Sequence, residues 1–263
     1  MADASLVDRL DRSTVAVFEG MTERTPGGRV VRQDGLVLVV GSDPSPVIVN
    51  TILTVAGDVG LPALERALEL YREAGHLPSL MTRDHRDAAL HEVLPAAGWQ
   101  PLLTLPGMIL EARPPREPSP SDVEVHAVER DADRERWIEG NLNGFAGDDG
   151  ERAALRSAFQ TLGSLAAEQV VAFWAEADGR GVGSAMGELD PATGFGVVGW
   201  VGTDRAYRRR GIGRAVTLAT IEALYRLGAT AIALQASPMG LPVYERLGFR
   251  TICGYRLWLP PEG

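Results

Sequence analysis

RRRGIGRA, residues 208–215, places three consecutive arginines before a Gly-x-Gly pair and the start of a long helical pattern. Two interpretations compete: a solvated charge run that precedes a helix, or a socket for a phosphate. The first turn of a helix has unpaired backbone N–H groups and a positive dipole end, and glycines let an anion approach the backbone closely. The segment matches no Walker loop, because the chain has no lysine. It matches no G-x-G-x-x-G loop either, because the last position is Val216.

The elements around this segment predict an α+β layout on a mixed sheet. Apolar residues over 211–228 keep the spacing of one buried helix face, and Gly228 is a natural helix stop. Asp178-Gly179 is a two-residue hairpin signal, and Asp190-Pro191 marks the next turn. The predicted order is strand (122–130), helix (131–147), helix (151–165), three strands (169–203), helix (211–228), strand (230–236), helix (240–248) and strand (249–259).

The first half of the chain repeats part of this pattern. Residues 30–53 predict strand, Asp34-Gly35 turn, strand, Asp43-Pro44 turn and strand. A helix over 61–75 follows, and the remaining elements are a strand (77–81), a helix (86–98) and a strand (99–112). Because order, turn chemistry and spacing agree together, the sequence predicts a diverged structural duplication rather than a chance recurrence of elements.

A proline-rich segment separates the two halves. Residues 111–122, EARPPREPSPSD, contain four prolines and almost no apolar side chains, which is linker composition. We therefore predict domains over 1–112 and 122–263, joined by a linker over 113–121.

Composition narrows the function classes. All 26 basic residues are arginine, which excludes Schiff-base and P-loop lysine chemistry. The net charge of −9 argues against nucleic acid as the main partner and favours a cationic ligand. No 18-residue apolar run predicts a membrane span, and the acidic, mixed N-terminus does not indicate a signal peptide. The single Cys253 cannot form an internal disulfide and is expected to be a small core residue, so a reducing, cytoplasmic setting is expected.

Three motifs in order resemble the GNAT superfamily of acyl-CoA-dependent N-acetyltransferases. Arg208-x-x-Gly211-x-Gly213 is similar to the family's Q/R-x-x-G-x-G/A pyrophosphate loop, and residues 198–207 are similar to its fourth strand. Residues 234–249, LQASPMGLPVYERLGF, resemble its closing motif, with a tyrosine just before Leu-Gly-Phe. The resemblance covers 122–263 and, more weakly, 1–112. It implies two tandem GNAT-like domains, each a mixed, mostly antiparallel sheet flanked by helices.

The resemblance implies that acetyl-CoA binds as co-substrate along the fourth strand, where that strand splays from the fifth. Backbone groups near Val201 would pair with the pantetheine, and backbone N–H groups of 209–214 would hold the pyrophosphate. Ser237 stands where the family often has a cofactor-binding Asn; its alternative role is a helix cap. The predicted cofactor-binding residues are Val201, Gly202, Thr203, Arg208, Arg209, Arg210, Gly211, Ile212, Gly213, Arg214 and Ser237.

The resemblance also implies direct attack of a neutral amine on the thioester in a ternary complex. A main-chain N–H near Val201 is the expected oxyanion donor. Tyr244 occupies the position of the acid that protonates the leaving thiolate; its alternative role is a ring buried in the core. Glu188 is the first candidate for the base, and a water chain is the alternative.

Weaker candidates surround these positions. Asp190 and Glu176 are less favoured bases because both lie beside hairpin turns. Asn141 and Asn143 lie on the helix that usually shapes the acceptor pocket of the family. Two tryptophans lie in the same regions. Trp137 is expected in the core, and Trp200 is expected either to line the acceptor side or to pack under the sheet. The histidines show no metal-ligand spacing, so no metal is expected.

The first half departs from the family at the loop, where it has TVAGDVGLPALE with Asp58 and no arginine. A carboxylate there would repel a pyrophosphate, so the sequence predicts a single cofactor site, in the second half. The first half is expected to wall the acceptor cleft and to extend the sheet or an interface.

The expected activity is N-acetylation of a small-molecule or peptide amine, with a cationic amine favoured. Neither nucleic acid nor membrane is an expected partner, and a homodimer is possible. A non-catalytic acyl-CoA sensor or structural protein is the alternative. A thiol-precursor synthase rests on the tandem layout alone, which resembles mycothiol synthase.

Overall fold

Two tight turns open the antiparallel meanders of the chain in the computed structural model, which describes residues 4–42, 50–115, 120–147, 149–161, 165 and 167–261. Asp34 and Gly35 have φ of 49° and 76°, and Asp178 and Gly179 have φ of 52° and 73°. Two consecutive left-handed residues define the hairpin turn that matches the strand twist. Both Asp-Gly predictions are therefore confirmed, while the predicted turn at Asp43-Pro44 lies outside the described residues.

The first half contains the predicted strands and helices and one further helix. Its elements are α1 (Ala4–Glu23), β1 (Arg29–Gln33), β2 (Leu36–Val40), β3 (Asn50–Thr54), α2 (Leu61–Glu73), β4 (Ser79–Arg83), α3 (Ala88–Val93) and β5 (Gln100–Leu110). The sequence analysis assigned no element to the segment that forms α1.

The second half follows the predicted order throughout. Its elements are β6 (Glu124–Ala127), α4 (Asp131–Phe145), α5 (Asp149–Thr161), β7 (Val170–Ala177), β8 (Arg180–Asp190), β9 (Phe195–Thr203), a 3₁₀ turn (Arg205–Tyr207), α6 (Ile212–Arg226), β10 (Ala231–Gln235), α7 (Leu241–Arg246) and β11 (Arg250–Leu259).

All of these strands join one sheet, in the order β1-β2-β3-β4-β11-β5-β10-β9-β8-β7-β6. Each half exchanges its last strand with the other. β11 of the second half pairs antiparallel with β4 and β5 of the first, and β5 pairs antiparallel with β10. The first half thus extends the sheet of the second, and two tandem GNAT-like units share the strands at their junction.

Helices cover both faces of the sheet, because side chains alternate along each strand. On one face, α2 packs on Leu36 and Leu38 of β2, and α6 and α7 pack on β9 and β10. On the other face, α1 packs through Leu10 on Val37 and Phe195, and α4 and α5 pack on β7 and β8. Trp137 is buried on α4 and donates to the Ala185 carbonyl at 2.9 Å, which confirms it as a core residue.

Helix α1 belongs to the first half in sequence, but it contacts strands of both halves. Arg9 donates through Nε to the Thr193 carbonyl at 3.0 Å, and Ser13 donates to Asp190 at 3.1 Å. Near its C-terminal end, Arg24 forms an ion pair with Glu188 of β8. The helix therefore fastens the β8–β9 hairpin to the first half.

Candidate functional site

The strands β9 and β10 separate part of the way along the sheet. They pair in parallel over three positions, ending at Val197 and Ala233. Beyond this point β9 continues to Thr203, whereas β10 pairs with β5 and Ala236 donates to the Pro106 carbonyl. Among the described residues, no ladder pairing joins β9 to β10 beyond Val197, so a wedge opens along the second part of β9.

A β-bulge lies beside this wedge. The β8–β9 register passes from Gly199 opposite Met186 to Gly202 opposite Ser184, so Trp200 and Val201 share the single partner position between them. Trp200 has φ of 56°, a conformation rare for a bulky side chain. A bulge re-aims the backbone of its strand, and bulges are common beside active sites. The predicted oxyanion donor near Val201 therefore lies in the bulge.

The backbone after β9 curls at the entrance to α6. Arg209 has φ of 65°, and Gly211, the N-cap residue of α6, has φ of 79°. Such alternation of left-handed residues turns successive N–H groups into a concave anion site, and the helix N-terminus adds its positive end. A Cβ atom at Gly213 would lie 3.1 Å from Oγ1 of Thr203, so a small residue keeps the loop close to the strand.

The arginine side chains of this loop have different surroundings. Arg208 donates to the Gly144 carbonyl at 2.8 Å and joins the loop to the end of α4. Arg210 pairs with Asp122, and its hydrogen bond holds the pKa of that carboxyl below the usual value. Arg209 is exposed at the curled backbone. The side chains of Arg208 and Arg210 therefore hold the loop against its neighbours. The main-chain N–H groups of the loop are then the donors that the predicted site has for an anion.

Helix α4 packs closely against the bulge. Asn141, fully buried, donates to Oγ of Ser184 at 2.9 Å and to the Trp200 carbonyl at 3.0 Å. The Oδ1 atom of Asn141 is buried and accepts no hydrogen bond from the described residues. The Nδ2 atom of Asn143 is also buried and donates to none of them. Helix α4 thus holds the Trp200 peptide group in the bulge through a hydrogen bond. It also places two polar side-chain atoms without hydrogen-bond partners among the described residues close to the bulge.

Tyr244 lies on α7 beneath the wedge. It is buried in the same apolar cluster as Val198 of β9 and Leu234 of β10, with its ring edge-on to Phe249 at 5.8 Å between centroids. Burial raises the pKa of Tyr244 to about 12. The phenol is therefore protonated at neutral pH, as an acid must be.

Glu188 lies on β8 on the same face as α1 and α4. Its two carboxylate oxygens accept from Nη1 and Nη2 of Arg24 at 2.8 and 2.6 Å. A Cβ atom at Gly20 would lie 2.9 Å from both Nη1 of Arg24 and Oε1 of Glu188, so this glycine leaves room for the pair. Glu188 remains the first candidate base, now with a fixed cationic partner.

Other candidates have structural contacts. Asp190 accepts from Ser13 and Thr193 and stabilises its hairpin turn. Glu176 lies 3.6 Å from Nε2 of His126 on the neighbouring strand. Ser237 accepts from the Gly240 N–H at 3.1 Å, within the turn that precedes α7.

The aromatic and thiol candidates pack within the fold. Trp200 is partly buried and packs edge-on against Phe159 of α5, with 4.8 Å between ring centroids. Cys253 is partly buried, and burial raises the pKa of its thiol to about 12.

No sequence motif predicts a role for Arg24 or Gly20. Gly20 lies on α1 and Arg24 directly follows its last residue, in a segment for which no element is predicted, and the partner of Arg24, Glu188, is far away in the chain. No local motif marks an ion pair between such distant segments. Only the packing of α1 across both halves of the sheet reveals these residues.

Comparisons with known proteins agree with this geometry. Residues 129–249 match the model of the Acetyltransferase (GNAT) family. Residues 129–249 therefore form a GNAT domain. A search of curated proteins finds no match to the chain.

Solved structures extend the likeness in fold to nearly the whole chain. A GCN5-related N-acetyltransferase from Kribbella flavida superposes with a TM-score of 0.74 at 18% identity, covering 96% of each chain. A functionally unknown conserved protein from Staphylococcus epidermidis gives 0.66 at 14% identity, covering 90% of this chain and 95% of that one. A tandem GNAT protein from the clavulanic acid biosynthesis pathway gives 0.58 at 15%, covering 89% and 82%.

Two further findings concern the described residues alone. None of their helices combines the length and apolar character needed to cross a bilayer. Within the same part of the chain, no three His, Cys, Asp or Glu side chains are grouped to hold a metal ion.

Proposed function

We propose that the chain is an acetyl-CoA-dependent N-acetyltransferase that acetylates a primary amine by direct attack in a ternary complex. One observation carries the proposal: the wedge along β9 has a bulge at Trp200 and Val201, and it leads to the curled N-terminus of α6. The GNAT match of residues 129–249 supports the same chemistry.

The chain's own groups have distinct roles in this proposal. When bound, acetyl-CoA supplies the acetyl thioester. The backbone N–H groups of 209–214 would hold its pyrophosphate, and the Val201 N–H would donate to the oxygen on which negative charge develops. Tyr244 would give its Oη proton to the leaving sulfur. Glu188, held by Arg24, would accept a proton from the amine directly or through water.

The acceptor is a primary amine on a small molecule or a peptide, and the net charge of −9 favours a cationic one. The acceptor side of the bulge has Asn141, whose Oδ1 is buried and unpaired within the described residues. An amine N–H is the kind of donor that such an oxygen lacks.

Calorimetric titration with acetyl-CoA tests the proposal. We expect one site per chain with micromolar affinity, weakened about 100-fold or more by Gly211→Asp, because the carboxylate faces the pyrophosphate. Gly211→Ala separates backbone strain from charge. Gly60→Asp is the matched control, because Gly60 is the N-cap residue of α2 in the first half and its substitution should leave acetyl-CoA affinity unchanged. Absence of acetyl-CoA binding by the unmodified protein would remove the proposal.

A non-catalytic acyl-CoA sensor is the second candidate, since it needs the same loop. Tyr244→Phe distinguishes the two, with turnover measured as thiol release from acetyl-CoA and a panel of primary amines. An enzyme should lose about 10²- to 10⁴-fold in turnover with unchanged acetyl-CoA affinity. Tyr225→Phe, on α6 of the same face, is the control and should keep full turnover. Binding without turnover in the unmodified protein would favour the sensor.

The pH dependence follows from the raised pKa of Tyr244, about 12. The acid form is the active one, and it is lost only as pH rises towards that value. We therefore expect turnover at saturating amine to show no descending limb below about pH 11 from this group.

A further inference from the structure

A second cavity lies between the two halves, away from the wedge along β9. It has a volume of about 480 Å³, is open on one side, and is bordered mainly by α1, the ends of β3 and β4, and the β8–β9 turn. None of the loop residues 208–214 and none of the residues of β9 line it. We name it the junction pocket; Asp11 and Arg12 of α1, Arg83 of β4 and Thr193 of the β8–β9 turn define it.

The position and size of the junction pocket suit a small ligand. Strands β3 and β4 run parallel, and Thr54 and Arg83 stand at their carboxyl ends. Crevices at the carboxyl ends of parallel strands are common ligand sites. Pockets for small molecules typically have volumes of about 300–1,000 Å³, and the junction pocket falls in this range.

The buried end of the junction pocket contains a carboxylate and a guanidinium, those of Asp11 and Arg83. Asp11 is buried and accepts from Tyr255 Oη at 2.7 Å, while its other oxygen lies 2.9 Å from Nε2 of His85. Arg83 forms an ion pair with Asp11, with 3.7 Å between Nη1 and Oδ2, and its guanidinium is also bound to the Asp87 carboxylate and to the carbonyls of Val55 and Ala56. A carboxylate offers about four lone-pair sites, so Asp11 retains acceptor capacity towards the pocket.

The mouth of the junction pocket is positive. Arg12 is exposed there. The hydrogen bond from Arg86 and the nearby charge of Arg12 lower the pKa of Asp8, but no close ion pair joins Arg12 to any described residue. The other charges at the mouth are partly exposed pairs, Arg86 with Asp8 and Arg32 with Glu19. Exposed pairs contribute little to stability, so a ligand can rearrange them at low cost.

We propose that the junction pocket binds a small zwitterion of the amino-acid class, with its ammonium group at Asp11 and its carboxylate at Arg12. The pocket is lined by equal numbers of acidic and basic side chains, and this charge balance disfavours a ligand with a net charge. These side chains are Asp8, Asp11, Glu19 and Asp190 against Arg12, Arg32, Arg83 and Arg86. The site is independent of the proposed acetyl-CoA site.

The experiment uses the full chain and free amino acids as probes. The standard amino acids are screened at millimolar concentration for a rise in Tm, and each positive is titrated by calorimetry. We expect at least one with sub-millimolar affinity. The matching carboxylic acid without its amino group, and the matching amine without its carboxylate, should each bind at least about tenfold more weakly, because each loses one charged contact.

Variants locate the site. Arg12→Gln and Asp11→Asn should each weaken the best amino acid about tenfold or more, whereas Arg29→Gln, an exposed arginine outside the pocket, should not change it. Arg12→Gln decides alone if Asp11→Asn fails to fold, because Arg12 is exposed. Acetyl-CoA titration of the same preparations keeps this inference separate from the proposed function.

Three outcomes overturn the proposal. The first is a screen in which no amino acid binds while acetyl-CoA does. The second is equal affinity for the acid alone or the amine alone, which would mark a simple anion or cation site. The third is amino-acid binding that is unaffected by Arg12→Gln, which would place the ligand elsewhere.

Discussion

The two halves differ at the point where a parallel strand pair stops pairing, β3–β4 in the first half and β9–β10 in the second. In each, the third strand of a meander pairs in parallel with the next strand over three positions. In the second half, β9 continues from Val198 to Thr203 beside an open wedge. In the first half, β3 ends at Thr54, and the guanidinium of Arg83 donates to the carbonyls of Val55 and Ala56 just beyond it.

The first-half opening is therefore bridged within the sheet by a side chain, that of Arg83, which also lines one wall of the junction pocket. Arg83 is 6% exposed and Asp87 is 2% exposed, and a fork of hydrogen bonds joins them. Thr54 donates to the same carboxylate at 2.5 Å. A buried guanidinium is stable only when it is paired and hydrogen-bonded, and both conditions are met. The comparison shows that the same strand register can leave an open wedge or a bridged strand end, depending on the residue at the strand end.

The helix entrances differ in the same sense. Gly211 caps α6 in a left-handed conformation, whereas Gly60 caps α2 with φ of −110°. Pro62, in the first turn of α2, has no N–H to offer an anion. Asp58 is exposed in the preceding loop. The first half thus lacks both the curled backbone and the full set of donors.

Separating the halves should have the largest effect. Residues 116–263 alone leave β11 without β4 and β5, its neighbours on both sides. We expect this fragment to be insoluble or to lack cooperative unfolding by circular dichroism. Co-expression with residues 1–115 should restore a folded complex that binds acetyl-CoA. A fragment that folds alone and binds acetyl-CoA normally would show that the strand exchange is dispensable.

Removing the side chain that bridges the first-half opening comes next. Arg83→Met should lower the free energy of unfolding by about 3–5 kcal/mol, because Asp87 becomes an unpaired buried charge. Chemical denaturation measures the change. The double variant Arg83→Met with Asp87→Leu should recover most of the loss, and the exposed Arg226→Met should stay within about 0.5 kcal/mol of the unmodified protein. A loss below about 1 kcal/mol for Arg83→Met would contradict this account.

The ion pair between α1 and β8 should have a smaller effect. Arg24→Met removes both hydrogen bonds to Glu188, whose side chain is only 10% exposed, and should reduce stability by about 1–3 kcal/mol. Arg32→Met is the matched control: the Arg32 side chain is 62% exposed, and its pair with Glu19 should contribute at most about 1 kcal/mol. Equal losses in the two variants would mean that burial does not distinguish the pairs.

The smallest effect is expected from repairing the charge of the first-half loop. Asp58→Arg removes the repulsive carboxylate, but Arg83 still bridges the opening. We therefore expect calorimetry to give one acetyl-CoA per chain, as for the unmodified protein. A second site in Asp58→Arg would show that charge alone had silenced the first half.

Local features of this protein can be predicted from its sequence. The element order of the second half, the Asp-Gly turns and the loop at Gly211 follow from periodicity, turn chemistry and glycine conformations, which act over a few residues. The same local patterns do not predict helix α1, and they do not distinguish a helix cap from a cofactor contact at Ser237.

Tertiary structure alone decided which distant residues meet. The exchange of β5 and β11, the bridging of the first opening by Arg83 and the Arg24–Glu188 pair join segments from different parts of the chain. The bulge that turns Trp200 likewise depends on the register with β8. Such contacts are set by how sheets and helices pack, and no short pattern encodes the partner of a strand edge or a buried charge.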